Sequence, residues 1–310
     1  MSNKYTVFTS DADNEIVAMC DLQEANLWLS SEINLTHDAE DFKKLSQDEQ
    51  SYIKKVLAYF AASDGIVGEN LAVNFLQETE NPEVKYFYYF QAMMEAVHAK
   101  TYSQMITTFV NNGEERKKIF DSINLDLATK KKADWAFKYM DQEGITPSER
   151  LIAFMAIEGI FFAGSFAAIF WLRDKGILSN SLGVANEYIS RDETLHAEFA
   201  VLNYKKFHNN LSDTKIKEII IEAVEIEKEF IRDALPIRLI GMNADLMCQY
   251  IEFVGDMWLD QLGVPKYYNV EQPLDFMKTI GHKRKDLFHE KTRTNYARQT
   301  TNKTLDFTQL

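Results

Sequence analysis

Glu95-Ala96-Val97-His98-Ala99-Lys100-Thr101-Tyr102 sets a carboxylate, an imidazole and a phenol at offsets of three and seven residues. At about 3.6 residues per turn, those offsets bring all three groups onto one face of a helix. The flanks predict where that helix begins and ends. Asn81-Pro82 supplies an N-cap and a proline suited to the first helical position, and Asn111-Asn112-Gly113 supplies a stop, so the helix is predicted over about 82–111.

The Glu-x-x-His spacing recurs at Glu193 and His196, inside a second predicted helix from Leu182 to Phe207. Two further helices each carry one acid on an otherwise apolar surface. The first follows a capping box at Ser46-Gln47-Asp48-Glu49 and runs to Glu78; Asp64 falls on its stripe of Phe60, Val67, Leu71 and Phe75. The second follows another capping box, Thr146-Pro147-Ser148-Glu149, and runs to Lys175. Between Leu151 and Leu172 every residue except Glu158 is apolar or small, which predicts a helix buried on all sides, with Gly159, Gly164 and Ser165 permitting close approach.

The remaining segments are plainer. Residues 1–21 show no pattern, Leu22–Glu32 reads as a short helix carrying Trp28, and short helices are expected near 114–121 and 129–140. Long packing helices are expected near 213–233 and 243–262, the latter between Asn243 and Gly263. Beyond Pro273 the chain turns polar and residues 300–310 present no periodic core face, so a helical domain over 1–275 and a mobile tail over 276–310 are expected.

Composition agrees with an all-α class. Only 12 Gly and 5 Pro interrupt 310 residues, and 46% of the chain is hydrophobic, ample for a large core. A net charge of -13 argues against nucleic acid as a partner, because phosphate backbones reward basic surfaces. Cys20 and Cys248 suggest neither a disulfide framework nor a thiolate metal site, which fits a reducing cytoplasm. The run Leu151–Leu172 is long enough to span a bilayer, but it has no second such run and no basic flanks, so no membrane is expected.

Asp64, Glu95 with His98, Glu158, and Glu193 with His196 therefore lie on four long helices. This is nearly the donor pattern of di-metal carboxylate bundles, with Asp64 standing where a Glu is usual, and it predicts a ferritin-like helical bundle with additional long helices and a di-metal site in its core. Four ionised carboxylates in an apolar core would cost on the order of several kcal/mol each, whereas two divalent cations offset their charge. Oxygen donors with imidazole suit iron or manganese rather than structural zinc. Any one of these residues alone has a bland reading, as a solvated pair or a satisfied core acid; their conjunction does not. Spacing leaves Tyr102 open between a hydrogen-bonded core phenol and a redox partner of the metals, and leaves Asp192 open between a solvated acid and a hydrogen-bond partner of an imidazole.

With these motifs in place, the chain resembles the small, radical-generating subunit of class I ribonucleotide reductase, of the eukaryotic and DNA-virus type. The resemblance is carried by Ala61–Val67, Glu95–Ser103, Lys130–Phe137, Glu158–Phe162 with Gly164–Ala167, Ile189–Glu193, and Ala234–Pro236 with Leu239–Asn243. It implies that Asp64, Glu95 and His98 bind one iron and Glu158, Glu193 and His196 the other, with manganese as the alternative metal. It also implies that dioxygen activation leaves a stable radical on Tyr102, shielded by Phe162, Phe166 and Ile189. Trp28 and Asp192 match the transfer route out of the site, Tyr296 matches the tail relay, and the tail with Leu305, Phe307 and Leu310 would dock on a large catalytic subunit. A homodimer is implied. Two cysteines are too few for nucleotide reduction on this chain itself, which places that chemistry on the partner. The rivals are a di-iron oxidase or monooxygenase, which needs a substrate pocket beside the metals, an iron-storage bundle, which should be shorter, and a purely structural bundle.

Overall fold

The computed structural model describes residues 8, 12–70, 74–123, 127–141, 143–233 and 242–278. Among these residues there is no strand. Residues up to Leu274 form one compact unit; in the second, the described residues 275–278 make a helical turn. The expected tail beyond residue 278, with Tyr296, Leu305, Phe307 and Leu310, and the matching segment 234–241 lie outside the described residues, as does Leu71.

The helices are α1 (Asn14–Ala25), α2 (Thr36–Lys44), α3 (Gln47–Asn70), α4 (Leu76–Glu78), α5 (Pro82–Phe109), α6 (Gly113–Ile123), α7 (Leu127–Asp141), α8 (Pro147–Ala156), α9 (Ala163–Asp174), α10 (Leu182–Asn203), α11 (Asp213–Asp233) and α12 (Ala244–Gln261). Their starts follow the predicted caps. Ser46 Oγ accepts the Glu49 N–H at 3.2 Å while Glu49 Oε2 accepts the Ser46 N–H at 2.9 Å, and Thr146 and Glu149 repeat the exchange at 3.2 and 3.0 Å. Asn81 caps α5 through the Val84 N–H, and Asn243 caps α12 through Asp245 and Leu246. Asn112 does more than end α5: it accepts from Glu114 and Glu115 and so opens α6.

The N-terminal region differs from expectation. The helix there is α1, capped by Asp13, which accepts from Glu15 and Ile16, and it closes at Ala25. Trp28 lies beyond it in the connection to a 3-10 turn at Ser30–Glu32, because the Asn26 N–H already bonds back to Leu22 and Gln23 and the chain leaves the helix there. Helix α2 was not foreseen either; only Asp38 and Phe42 are buried on it.

Helices α3 and α5 run along one another, and α10 packs on α8, α9 and α5, so the four donor-bearing segments enclose one core. Helices α11 and α12 pack together and against the α8–α9 side. The helix predicted over Leu151–Leu172 is interrupted: a π turn at Ile157–Phe161, carrying Glu158, separates α8 from α9. Such turns hold one extra residue and widen the helix. The 147–174 span contains an 18-residue window apolar enough to cross a membrane, with mean hydropathy 1.9, yet 89% of that window is buried within the fold. Bulk lies close against it: a Cβ added at Gly159 would stand 2.5 Å from the Trp258 ring, and one at Gly164 would stand 2.7 Å from Glu227 Oε1. Gly159→Ala is therefore expected to destabilise the chain by about 1–3 kcal/mol, read as an earlier denaturation midpoint. An unchanged midpoint would mean that the Trp258 ring yields freely.

Candidate metal centre

Asp64 projects from α3, Glu95 and His98 from α5, Glu158 from the π turn, and Glu193 and His196 from α10, each no more than 2% exposed. Their donor atoms form two groups, Asp64–Glu95–His98 and Glu95–Glu158–Glu193–His196, with the atoms of each group within 4.8 Å of one another. Glu95 belongs to both. Its Oε2 lies 3.5 Å from His98 Nδ1 and its Oε1 3.0 Å from His196 Nδ1. Glu193 spans the same gap, with Oε1 3.0 Å from His98 Nδ1 and Oε2 3.7 Å from His196 Nδ1. Two carboxylates thus each place one oxygen beside each imidazole.

Hydrogen bonding separates this cluster from an ordinary buried polar network. Both oxygens of Asp64, of Glu95 and of Glu193, together with His98 Nδ1, are buried without an aligned hydrogen-bond partner. Native cores seldom leave such atoms orphaned. Converging lone pairs on carboxylates and imidazoles, with no thiolate among them, are what two hard or borderline divalent cations require, so the residues fit a dinuclear metal centre.

Electrostatics agree. Burial, then the Glu95 and Glu193 carboxylates, pushes Asp64 well above the usual carboxylate range, and burial with Glu193 and Glu95 does the same to Glu158. Glu193 goes the other way: burial opposes its ionisation, but contacts from Glu158, His196 and His98 outweigh it. Burial also disfavours charged imidazoles, yet Asp192, Glu193 and Glu95 raise His98 well above its ordinary value, and Glu158, Glu193 and Glu95 raise His196. Without cations, these surroundings favour the protonated forms of Asp64, Glu158 and both imidazoles.

Tyr102 is 1% exposed and its hydroxyl has no partner, unlike the hydrogen-bonded core phenol that spacing left open. Burial, then Asp64, Glu193 and Glu95, pushes its pKa well up, so it stays a protonated phenol at any ordinary pH. Its ring stacks on Phe60, with centroids 4.9 Å apart and planes at 10°, and Phe60 in turn meets Phe166 at 4.9 Å and Phe162 at 5.5 Å. Ile189 is buried as well. Phe60 was read only as a core residue; its place one turn before Asp64 was the available signal.

Trp28 Nε1 donates to Asp192 Oδ2 at 2.7 Å, and the same oxygen lies 3.2 Å from His98 Nε2. The indole also lies nearly parallel to the His98 ring, 5.8 Å away. Two supporting residues were missed. Arg191 donates to Asp192 Oδ1 at 3.3 Å and to the Asn26 carbonyl at 2.8 Å, tying α10 to the segment before Trp28. Gln91, one turn before Glu95 on the same buried face, donates to Glu158 Oε1 at 3.1 Å.

Residues 6–273 match the model of the family described as ribonucleotide reductase, small chain. The chain is 47% identical to ribonucleoside-diphosphate reductase subunit M2 of Danio rerio over 285 residues, covering 92% of this chain and 74% of that one. It is 45% identical to the ribonucleoside-diphosphate reductase small chain of Yaba-like disease virus, covering 96% and 91% of the two chains. Among solved structures, the ribonucleotide reductase Rnr4 homodimer from Saccharomyces cerevisiae superposes with a TM-score of 0.83 at 37% identity, covering 93% of this chain and 91% of that one.

The proton inventory sets a pH dependence. Asp64, Glu158, His98 and His196 bind protons more tightly in the fold than in an unfolded chain, so their contribution is full only below the ordinary values, 3.8 and 4.5 for the carboxyls and 6.5 for the imidazoles, and is lost as pH rises from there through the raised values. Glu193, held low, loses its contribution only as pH falls below the ordinary carboxylate range. The metal-free chain should therefore melt at progressively lower temperature from about pH 5 to about pH 8. A manganese-loaded chain should resist that decline, because deprotonated ligands favour the bound ion. Coincident melts of the two forms at the upper pH would contradict the metal centre.

Proposed function

The chain belongs to the family of ribonucleotide reductase small chains, and we propose that its Asp64, Glu95, His98, Glu158, Glu193 and His196 hold two iron ions beside a radical-bearing Tyr102. It is the small subunit of a ribonucleoside-diphosphate reductase, an oxidoreductase of a metal-dependent family in which a di-iron centre and a tyrosyl radical serve a large subunit that reduces ribonucleotides. The fold is accordingly ferritin-like.

The observation that carries the residue assignment is the Tyr102 hydroxyl, buried without a hydrogen-bond partner and under the field of Asp64, Glu193 and Glu95. In such a centre, bound reduced iron supplies dioxygen activation and the one-electron oxidation of a phenol. The chain's own part is to orient and insulate. Asp64, Glu95 and His98 would hold one ion and Glu158, Glu193 and His196 the other, while Glu95 and Glu193 each place one oxygen beside each imidazole. Phe60, backed by Phe162 and Phe166, keeps water and reductants off the Tyr102 ring. These rings also fill space that a substrate-oxidising enzyme of the same fold would need open. Trp28, Asp192 and His98 form the route by which oxidising equivalents leave, with the indole proton held at Nε1 by Asp192 Oδ2.

A homodimer, a cytoplasmic location, and docking of residues 276–310 on the large subunit with Tyr296 as the relay complete the reading. Manganese in place of iron is compatible with the same donors.

Two measurements test it. Metal-free chain loaded with ferrous iron and exposed to air should give a tyrosyl signal by electron paramagnetic resonance, and Tyr102→Phe should abolish that signal while two ions per chain remain bound. A signal that persists in the variant removes Tyr102 from the role. Asp192→Ala should keep the radical but lower turnover with the large subunit by about 10-fold or more, as loss of a partner to a metal-bound imidazole commonly does; turnover equal to the parent would break the proposed route.

A further inference from the structure

The π turn at Ile157–Phe161 is gripped from both edges by residues that are not metal donors. On one edge Lys132, from α7, donates to the Phe161 carbonyl at 2.9 Å and to the Tyr59 hydroxyl at 3.0 Å, and Tyr59 donates to the same carbonyl at 3.0 Å. Lys132 is 3% exposed and pairs with Glu227 of α11, which is 0% exposed, while its ammonium stands 3.5 Å from the centroid of the Phe230 ring. On the other edge Trp258 of α12 donates Nε1–H to the Gly159 carbonyl at 3.1 Å. Those two carbonyls belong to the residue directly after Glu158 and to the one two positions further on.

Stability alone does not account for this arrangement. A buried ion pair is often replaceable by apolar groups of similar volume without loss, since desolvation consumes most of the attraction. Burial pushes the Glu227 carboxyl up to about 7 even with Lys132 beside it, which shows how unfavourable the site is for charge. Both contacts use the space of an absent Cβ, since one added at Gly159 would stand 2.5 Å from the Trp258 ring and one added at Gly164 2.7 Å from Glu227 Oε1. Wide turns hold one residue more than an α turn, and reverting to α geometry would rotate the side chains on one side of the turn by about 100° relative to the other. Such a rotation would swing Glu158 away from His196 Nδ1, 3.2 Å from its Oε2.

We propose that Lys132, Glu227 and Trp258 are positioning residues for the metal on the Glu158 side: by holding the carbonyls of Gly159 and Phe161 they keep the π turn wound so that Glu158 faces Glu193 and His196. The inference rests on the reading of Glu158 as a ligand. It assigns α7, α11 and α12, which contribute no donor, a task in the centre. Because Asp64 and His98 lie on α3 and α5, the effect is selective for one of the two ions.

The test loads the full metal-free chain with manganese chloride and follows binding by equilibrium dialysis and electron paramagnetic resonance. Two variants are compared with the parent: Trp258→Phe, which keeps a ring and removes the donor, and the double variant Lys132→Met with Glu227→Leu, which replaces the pair by apolar volume. The parent should take up two ions and show the spectrum of an exchange-coupled pair. Each variant should retain one ion and bind the second about 10-fold or more weakly, the loss typical of a disturbed ligand support, and should show an isolated manganese signal. Denaturation of the metal-free variants, measured on the same samples, should stay near the parent. Two ions bound with parental affinity and a coupled spectrum would overturn the proposal. So would equal weakening of both ions in step with metal-free stability, or loss of the fold in both variants, each of which marks a general structural role. A parent that fails to bind two ions would instead defeat the reading of the metal centre itself.

Discussion

Four carboxylates and two imidazoles share a core from which water is excluded, and none of them can leave it, because each sits on a segment packed into the same bundle. Charge compensation is therefore the constraint on which the rest of the molecule depends. Isolated, each ionised acid would be unfavourable by several kcal/mol in such surroundings. The bundle meets the problem by convergence: Glu95 and Glu193 are each held between two imidazoles, so positive charge placed at either end is shared by both acids. A cluster arranged in this way is stable only with a counter-charge inside it, whether protons or metal.

Helices beyond the four donor-bearing segments also reach the core. Side chains from outside must fix a backbone that cannot be regular, since Glu158 sits on a turn with one residue too many for an α-helix. Gln91 holds the carboxylate itself, while Trp258 and the Lys132–Glu227 pair hold the main chain on either side. Similar support operates around His98, where Asp192 is itself held by Arg191 and Trp28.

Much of this was readable from residues alone, and the failures have physical causes. Caps at Ser46, Asn81, Thr146 and Asn243 were found because capping is local chemistry between residues three apart. The six acids and histidines that converge in the core stood out because such residues on apolar helix faces are exceptions that demand a reason. Helices α1 and α2 escaped because each is short and buries only a few residues, Ile16, Cys20 and Gln23 in one and Asp38 and Phe42 in the other. The π turn at Ile157–Phe161 escaped for a different reason: Gly159 reads equally as a site of close packing in a continuous helix, and the residues that grip the turn come from α3, α7, α11 and α12. Arg191 and Phe60 likewise gain their meaning only from neighbours distant in sequence.

Trp28 and Asp192 are separated by 164 residues. Contacts that span so much chain close late in folding, after the entropy of the intervening loop has been lost. Synthesis proceeds from the N-terminus, so a growing chain that has made α3 and α5 already carries Asp64, His98 and Tyr102 but lacks Asp192. Asp64, Glu95, His98 and Tyr102 thus precede the partner of Trp28 along the chain. The buried hydrogen bond between Trp28 and Asp192 can therefore form only once α10, which also carries Glu193 and His196, has emerged.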